Sequence, residues 1–198
     1  VDTVAVYDMC WQPGHHGGHG IFTVGALPGA ELKLWDRRLQ QNQRPSTVLG
    51  NDSYGVGSYT SVAAHSTDSS KVACGTANGE VLVWDLRAGK VVECLSQHQG
   101  EVRELMFHPS DPSHLISGGE DGRLLLSSNR GGGWGSGSGD VTVEELFSES
   151  MGCSGIAFDA DTNYLAATFS NDAVAVIHGH PRLMKGARFD LGDNFLPE

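Results

Sequence analysis

Three histidines near the start of the chain, His15, His16 and His19, are spaced closely enough to suggest metal chemistry. Imidazoles a few residues apart can share a metal ion. The residues around them are mostly glycines, which do not hold the rings in place, and no carboxylate lies within the cluster to orient them. We therefore expect no functional metal site in this segment.

Other residue types that catalyse reactions do not form a recognisable constellation. The sequence contains neither the Gly-x-Ser-x-Gly motif of a serine nucleophile nor a glycine-rich phosphate-binding motif. The carboxylate pairs Glu120-Asp121 and Glu144-Glu145 are typical of a turn and of a solvated strand edge. A glycosidase-type pair depends on a separation in space that a sequence does not give. We expect no catalytic residue, no cofactor and no small-molecule substrate.

The cysteines, the net charge and the apolar runs each exclude a class of site or partner. Cys10, Cys74, Cys94 and Cys153 stand far apart with no Cys-x-x-Cys spacing, which predicts reduced thiols rather than a zinc site or a disulfide scaffold. The net charge of −11 argues against a broad basic surface for nucleic acid. No apolar run has the length of a membrane span, so we expect no membrane insertion. A protein partner fits the composition best.

The elements that position these residues repeat along the chain. Segments 31–37 and 80–86 alternate apolar and polar residues with period two, and they close on Trp35-Asp36 and Trp84-Asp85. The Asn78-Gly79 dipeptide before the second segment predicts a tight hairpin. Weaker copies cover 115–126 and 164–177. The spacing between copies is close to that of a WD40 propeller blade, which has 40 to 45 residues.

Each unit contains up to four strand-like segments, which predicts an all-β fold: a single partial WD40 β-propeller over 1–198. The blades are expected at about 1–50, 55–96, 98–148 and 153–190. We predict leading strands at Val4–Tyr7, Tyr59–Ala63, Val102–Phe107 and Ile156–Phe158. Trailing strands are expected at 46–49, 91–95 and 141–146, and the fourth is unclear. A Gly/Ser-rich loop at 129–139 interrupts the third blade, and its composition is typical of a flexible linker.

His98, just before the third unit, matches a structural position of WD repeats. There a His that follows a Gly bonds the Asp of the next tight turn, and a strand Ser or Thr and the Trp complete a buried network. His98, Ser117 and Asp121 match this pattern, whereas Gln97 replaces the Gly and Ser127 replaces the Trp. We expect an incomplete network to be weaker. The corresponding structural residues of the first two units are Trp35, Asp36, Trp84 and Asp85.

Four stretches carry a closer resemblance: 22–36, 83–89, the His108-Pro109 turn within 107–115, and the turn 120–122. Together they resemble the forty-three-kilodalton WD-repeat nucleoporins of the Y-shaped outer-ring complex of the nuclear pore, from about residue 2 to residue 178. The resemblance implies roughly the last four blades of a seven-bladed propeller, and hence a chain that starts at Val1 as a fragment. It also implies a noncatalytic scaffold that binds a helical nucleoporin, supports nucleocytoplasmic transport and resides at the nuclear envelope in the nucleus.

Two other classes stay open. One is a WD40 adaptor outside the pore, such as a ubiquitin-ligase substrate receptor or a subunit of a chromatin-associated complex. The other is a propeller enzyme with a site in the central channel. Among the connections that vary between units, 51–58 and 129–139 are candidate partner contacts. Trp134 is the candidate anchor of the second, because an exposed Trp is favoured at interface hot spots.

Overall fold

A computed structural model describes residues 5–13, 19–25, 31–38, 44–50, 57–130, 133–135, 140–180 and 183. All regular structure in these ranges is antiparallel β-sheet, arranged as four successive blades. Blade 1 contains β1 (Val6–Trp11), β2 (Gly20–Gly25), β3 (Glu31–Asp36) and β4 (Thr47–Gly50). Blade 2 contains β5 (Tyr59–Ala64), β6 (Lys71–Thr76), β7 (Glu80–Asp85) and β8 (Lys90–Ser96). Blade 3 contains β9 (Val102–Phe107), β10 (His114–Gly119), β11 (Arg123–Asn129) and β12 (Val141–Ser148), and blade 4 contains β13 (Cys153–Asp159), β14 (Tyr164–Phe169) and β15 (Val174–His178).

The predicted all-β fold of propeller blades is confirmed, with two local differences in the leading strands. β1 continues beyond the expected Tyr7, because its pairing with β2 runs to Trp11 opposite Ile21, and Val4 lies outside the described residues. β13 extends beyond the expected 156–158, since its ladder with β14 runs from Cys153 to Asp159. Within the described residues blade 4 has three strands, and no trailing strand follows β15.

Alternation along the strands gives each blade two apolar faces. We call the face towards the next blade along the chain the forward face, and the opposite one the rear face. In blade 2 the rear face carries Val72, Cys74, Leu82 and Trp84, which pack against blade 1. Because neighbouring residues of a strand point to opposite faces, its forward face carries the alternate positions. These are Ala63, Ala73, Val81 and Val83, which pack against blade 3.

The core therefore consists of three layers, one at each junction between consecutive blades. Blades 1 and 2 bury Phe22, Leu32 and Tyr59 among others, blades 2 and 3 bury Val102 and Leu115, and blades 3 and 4 bury Ile116, Leu126, Leu165 and Phe169. Apolar burial of this kind is the dominant favourable term in folding. Stability thus depends on each blade having a neighbour to cover it.

In blades 2 and 3, the tight turn between the second and third strands accepts a backbone hydrogen bond from the segment that leads into the next blade. Gly79 and Gly122 adopt positive φ of 89° and 78°, and Asp172 takes the same place in blade 4 with φ 63°. The amide of His98 donates to the Gly79 carbonyl at 3.1 Å, and the amide of Glu149 donates to the Gly122 carbonyl at 2.9 Å. A Cβ on Gly79 would lie 2.2 Å from the His98 carbonyl oxygen, so this contact requires glycine.

Candidate interaction surfaces

The polar network of blade 3 brings together the three residues that match the WD pattern. Nδ1 of His98 lies 2.9 Å from Oδ1 of Asp121, and its Nε2 lies 2.9 Å from Oγ of Ser117. The second oxygen of Asp121 accepts the amide hydrogen of Gln99 at 2.9 Å. His98 and Ser117 are buried. The network therefore links the start of blade 3 to its central hairpin.

Burial fixes the charge states of this network. It lowers the pKa of His98, and this effect outweighs the hydrogen bond and the charge of Asp121, which raise it. Burial raises the pKa of Asp121, but hydrogen bonds from the Gln99 amide, His98 and the Arg123 amide bring it below its usual range. The pair is consequently a neutral imidazole that donates from Nδ1 to a carboxylate, and Ser117 donates to Nε2.

The two residues of blade 3 that differ from the WD pattern, Gln97 and Ser127, contact each other. Oγ of Ser127 donates to Oε1 of Gln97 at 2.8 Å, and Ser127 is buried. The long Gln97 side chain thus reaches the strand position where a WD repeat has its Trp. The Trp position is therefore not left unpaired. The Ser117 hydroxyl nevertheless lacks the indole donor.

Blades 1 and 2 show what the tryptophan contributes. In blade 1, Nε1 of Trp35 donates to Oγ1 of Thr23 at 2.8 Å. In blade 2 the residue at the position of Thr23 is Cys74, and Nε1 of the buried Trp84 has no hydrogen-bond partner among the described residues. Blade 1 therefore has the Trp–Thr bond, whereas in blade 2 a cysteine stands in place of the hydroxyl partner.

The aspartates that follow the two tryptophans stabilise the ends of their strands. Asp36 binds the guanidinium of Arg38 through both carboxylate oxygens, and this side-chain hydrogen bond lowers its pKa to about 2. Asp85 binds Nζ of Lys71 at 2.5 Å and accepts the amide hydrogen of Arg87. Both aspartates thus organise the turn after the third strand.

Trp134 differs from expectation. Its side chain is 3% exposed and belongs to the apolar cluster between blades 2 and 3, where its ring meets that of Phe107 edge-on at 6.0 Å. Its Nε1 donates to the Pro112 carbonyl at 2.8 Å. The prediction that Trp134 is an exposed anchor is therefore wrong. The side chain fills a space that the two blades leave between them.

A repeated joint between blades was not predicted. Nδ1 of His65 accepts the amide hydrogens of Thr67 and Asp68, and Nδ1 of His108 accepts those of Ser110 and Asp111. Each ring also contacts a phenylalanine of the next blade: the centroids lie 5.0 Å apart for His65 and Phe107 and 4.5 Å apart for His108 and Phe158. The signal was present in the sequence as His-x-x-Asp-x-Ser, at 65–70 and again at 108–113.

The outer faces of the two terminal blades expose apolar side chains. On the rear face of blade 1, Met9 is 64% and Trp11 62% exposed, and Tyr7 and Val48 are exposed beside them. On the forward face of blade 4, Val174 and Val176 are 63% and 62% exposed. Scattered exposed apolar residues are ordinary, whereas sets on one sheet face mark interaction surfaces. These faces are candidate interaction surfaces.

Residues considered for chemistry lie apart or in ion pairs. His15 and His16 fall outside the described residues, and within the described part no group of three or more His, Cys, Asp or Glu side chains could hold a metal ion. Arg103 pairs with Glu120 and Arg123 with Glu145, and His180 lies 3.3 Å from Glu144. The described part of the chain also contains no helix of the length and apolarity needed to cross a membrane.

The four thiols are free, as predicted. Burial, together with the charge of Asp8, raises the pKa of Cys10 to about 12, and burial raises the pKa of Cys74 and of Cys153. A thiol whose pKa is raised carries little thiolate at neutral pH and is a poor nucleophile.

Comparison with known families defines the class. The model of the WD domain, G-beta repeat, matches residues 89–126, which span the last strand of blade 2 and the first three strands of blade 3. This chain contains a WD40 repeat, and its four blades are those of a β-propeller. A crystal structure of the computationally designed Ika4 protein superposes with a TM-score of 0.62 over 90% of this chain and 93% of that one, at 16% identity, which shows the fold alone.

The particular similarity is to the nucleoporin Nup43. The human protein is 38% identical over 105 residues and the mouse protein 37% identical, in each case over 52% of this chain and 27% of the relative. The nuclear pore complex protein nup43 of Dictyostelium discoideum is 32% identical over 117 residues. The chain is thus homologous to these nucleoporins over about half its length, and it spans about a quarter of the length of the curated relatives it matches.

Proposed function

We propose that this chain is part of a noncatalytic scaffold subunit of the outer ring of the nuclear pore, and that it acts by binding other nucleoporins. The observation that carries the proposal is the 38% identity to human Nup43 over 105 residues. The rigid sheets and acidic composition favour a protein partner. The partner that we propose is a helical nucleoporin of the Y-complex, with the subunit located at the nuclear envelope in support of nucleocytoplasmic transport.

The exposed faces of blades 1 and 4 support a larger propeller around this chain. Val174 and Val176 stand at the strand positions that Leu32 and Leu34 occupy in blade 1, where these leucines pack against blade 2. Met9 and Trp11 stand at the positions of Leu105 and Phe107, which pack against blade 2 from blade 3. In the complete protein we propose that further blades cover both faces.

A variant pair tests this arrangement in the complete protein. Val176→Asp places a charge on the forward face of blade 4 and lowers the melting temperature if a blade covers that face, because a buried unpaired charge is costly. Val143→Asp is the matched control: Val143 is also exposed but lies on the outer strand of blade 3, between two blades already present. Equal melting temperatures for the two variants contradict a covered face.

A second candidate function is a WD40 adaptor outside the pore. It is favoured by similarity to the WD repeat-containing protein VIP3 of Arabidopsis thaliana, 32% identical over 104 residues, and to the human U5 small nuclear ribonucleoprotein 40 kDa protein, 39% identical over 61 residues. The match to Nup43 is both longer than the second and closer than the first.

Localisation and co-purification of the tagged full-length protein separate the two candidates. A nuclear-rim signal with outer-ring nucleoporins recovered in stoichiometric amounts is expected for the scaffold. A diffuse nuclear or cytosolic signal, with a spliceosomal, chromatin-associated or ubiquitin-ligase complex recovered instead, assigns the chain to the adaptor class. A tagged WD40 protein of unrelated function, expressed at the same level, controls for nonspecific recovery.

A further inference from the structure

The junction between blades 1 and 2 contains an open cavity of about 270 Å³. Its walls are mainly the forward face of blade 1, together with Leu86 of blade 2. Polar side chains also line it, at Gln12, Thr47, Ser69, Ser70 and Arg87, and of these Thr47, Ser69 and Arg87 are exposed. An apolar cavity with a few polar groups at its mouth is the usual form of a recognition pocket. The apolar wall residues are Phe22, Leu32, Leu34, Leu49 and Leu86.

The equivalent spaces at the other two junctions are filled by the chain itself. Between blades 2 and 3 the space is lined by Ala73, Val81 and Val83, which occupy the strand positions of Phe22, Leu32 and Leu34, and the side chain of Trp134 lies in it. Between blades 3 and 4, the buried Leu183 joins the apolar cluster, and its carbonyl lies 2.9 Å from Nε2 of His108. Each filling residue comes from the segment that follows the third strand of the later blade.

At the junction of blades 1 and 2 the corresponding segment is too short to do this. The segment between β7 and β8 consists of the four residues 86–89 and turns at Gly89, whose φ is 63°. The segment between β11 and β12, which carries Trp134, has eleven residues, 130–140. In addition, Ala64 stands where blade 3 has Phe107, the ring that contacts Trp134. Both differences leave room in the first junction that the second lacks.

The hydrogen-bonding groups of the filled junction are also present at the open one. Nε1 of Trp134 donates to the carbonyl of Pro112, and the same carbonyl raises the pKa of the nearby His65. One blade earlier, Ser69 holds the place of Pro112 and Gln12 that of His65, and Nε2 of Gln12 lies 3.3 Å from the Ser69 carbonyl oxygen. The Ser69 carbonyl therefore offers an indole N–H the same kind of acceptor.

The charge of Arg87 indicates which residues should flank the aromatic anchor of a bound segment. Arg87 is the one charged side chain among the residues that line the cavity, it is exposed, and it forms no ion pair within the described part of the chain. An acidic residue beside the aromatic anchor gains from this cation, whereas a basic one is repelled.

We infer that the cavity between blades 1 and 2 is a docking pocket for a tryptophan carried by an extended, acidic segment of a partner protein, bound as Trp134 is bound between blades 2 and 3. The inference does not depend on which complex the chain belongs to. Failure of the peptide experiments below leaves the nuclear-rim experiment unaffected.

The first test titrates the complete protein with synthetic peptides and measures binding by calorimetry. The probe is the segment 130–140 of this chain with its arginine replaced by aspartate, and its matched control has alanine in place of the tryptophan. The tryptophan peptide is expected to bind at least about tenfold more tightly, as is typical when a buried anchor is removed. Equal affinities, or no binding of either peptide, overturn the proposal. Restoring the arginine is expected to weaken binding, and Arg87→Ala to abolish this difference.

The second test fills the pocket without altering the core. Thr47 is exposed at the mouth, on the side of β4 that faces blade 2, and Thr47→Trp places an indole over the cavity. This variant is expected to lose peptide binding, with its melting temperature unchanged or raised. Thr47→Ser, which keeps a small hydroxyl side chain at the same position, is the control and is expected to bind normally. Loss of binding in both variants, or a lower melting temperature for Thr47→Trp alone, which indicates that another segment of the chain already occupies the cavity, contradicts the inference.

Discussion

The side chain of Ser127 donates a 2.8 Å hydrogen bond to the side chain of Gln97, and each of these residues departs from the WD pattern at its own position. The WD pattern has a glycine at the position of Gln97 and a tryptophan at the position of Ser127. Here the large side chain comes from Gln97 and the small one from Ser127. The two departures therefore compensate each other in space.

This compensation predicts the effect of restoring the tryptophan. Ser127→Trp alone is expected to destabilise the protein by about 1 to 3 kcal/mol, because the Gln97 side chain already occupies the space and overpacking results. Combined with Gln97→Gly, the same substitution is expected to recover most of that loss. Urea unfolding of the two single variants and the double variant measures the coupling between the positions. If the changes in unfolding free energy of the two single variants simply add in the double variant, the two positions do not compensate each other.

Loss of the His98 ring removes partners from two groups at once. His98→Ala is expected to lower the free energy of unfolding by about 1 to 3 kcal/mol, because Asp121 and Ser117 lose buried hydrogen bonds. Adding Asp121→Ala is expected to cost less than the sum of the single changes, since both variants break the same bond. Chemical denaturation of the three variants tests this, and strict additivity places the two residues in separate networks.

Acid is expected to weaken the joint between blades 2 and 3 through His65. Burial lowers the pKa of His65, and this outweighs the opposing charge of Asp68 and the Pro112 carbonyl. Because its folded pKa lies below the unfolded value of about 6.5, the unfolded state binds more protons as pH falls below about 6.5, and stability is lost there. Lys71 also disfavours the charged ring, and Phe107 packs against it.

Blade 1 suggests a variant that tests the role of His65 in this pH dependence. Gln12 occupies the position of His65 in blade 1, so His65→Gln is expected to fold and to lose less stability between pH 7.5 and pH 5.5 than the parent protein. His178→Gln, at an exposed histidine, is expected to follow the parent curve. Melting temperatures are measured across this pH range. If they fall in parallel for all three proteins, His65 is not the source of the loss of stability in acid.

Glu104 is expected to change stability in the opposite direction. Burial, followed by the charge of Asp8, raises its pKa to about 7. The folded state therefore binds more protons between the unfolded value and about pH 7, and stability falls as pH rises through that range. Glu104→Gln is expected to stabilise the protein at pH 8 by about 1 kcal/mol, after allowance for solvent screening, and to gain little at pH 5. Glu101→Gln serves as the control, and a gain of equal size at both pH values counts against the shift.

Trp134 is expected to matter for stability. Trp134→Ala removes a buried ring from the junction of blades 2 and 3 and should cost about 3 kcal/mol or more. Trp11→Ala, at a side chain that is 62% exposed, is the matched control and is expected to change stability far less in this chain. Thermal melts of the two variants distinguish these effects. A larger loss for Trp11→Ala contradicts the burial of Trp134.

The strands were predictable because local pattern and tertiary burial agree in them. The alternation in Glu80–Asp85 and the Asn78-Gly79 turn specify a hairpin before any neighbour is known. Trp134 was not predictable in this way. Its glycine-rich surroundings indicate a flexible loop, whereas its burial depends on Ala73 and Val83, more than fifty residues earlier, leaving a space in the next junction. Period-two patterns show which side chains turn inward, but they do not show where the packing between sheets is incomplete.

The turn at Asp172 sets a limit to the series of backbone contacts that runs through the blades. At Gly79 and Gly122 the absence of a side chain lets the carbonyl of the following segment come within the distance that a Cβ would forbid. Asp172 has the same left-handed conformation but carries a side chain. Whatever lies against blade 4 must therefore approach its turn by a different path. These backbone contacts therefore link blades 2, 3 and 4 in succession, and the corresponding turn of blade 4 carries the side chain of Asp172 where the earlier turns have glycine.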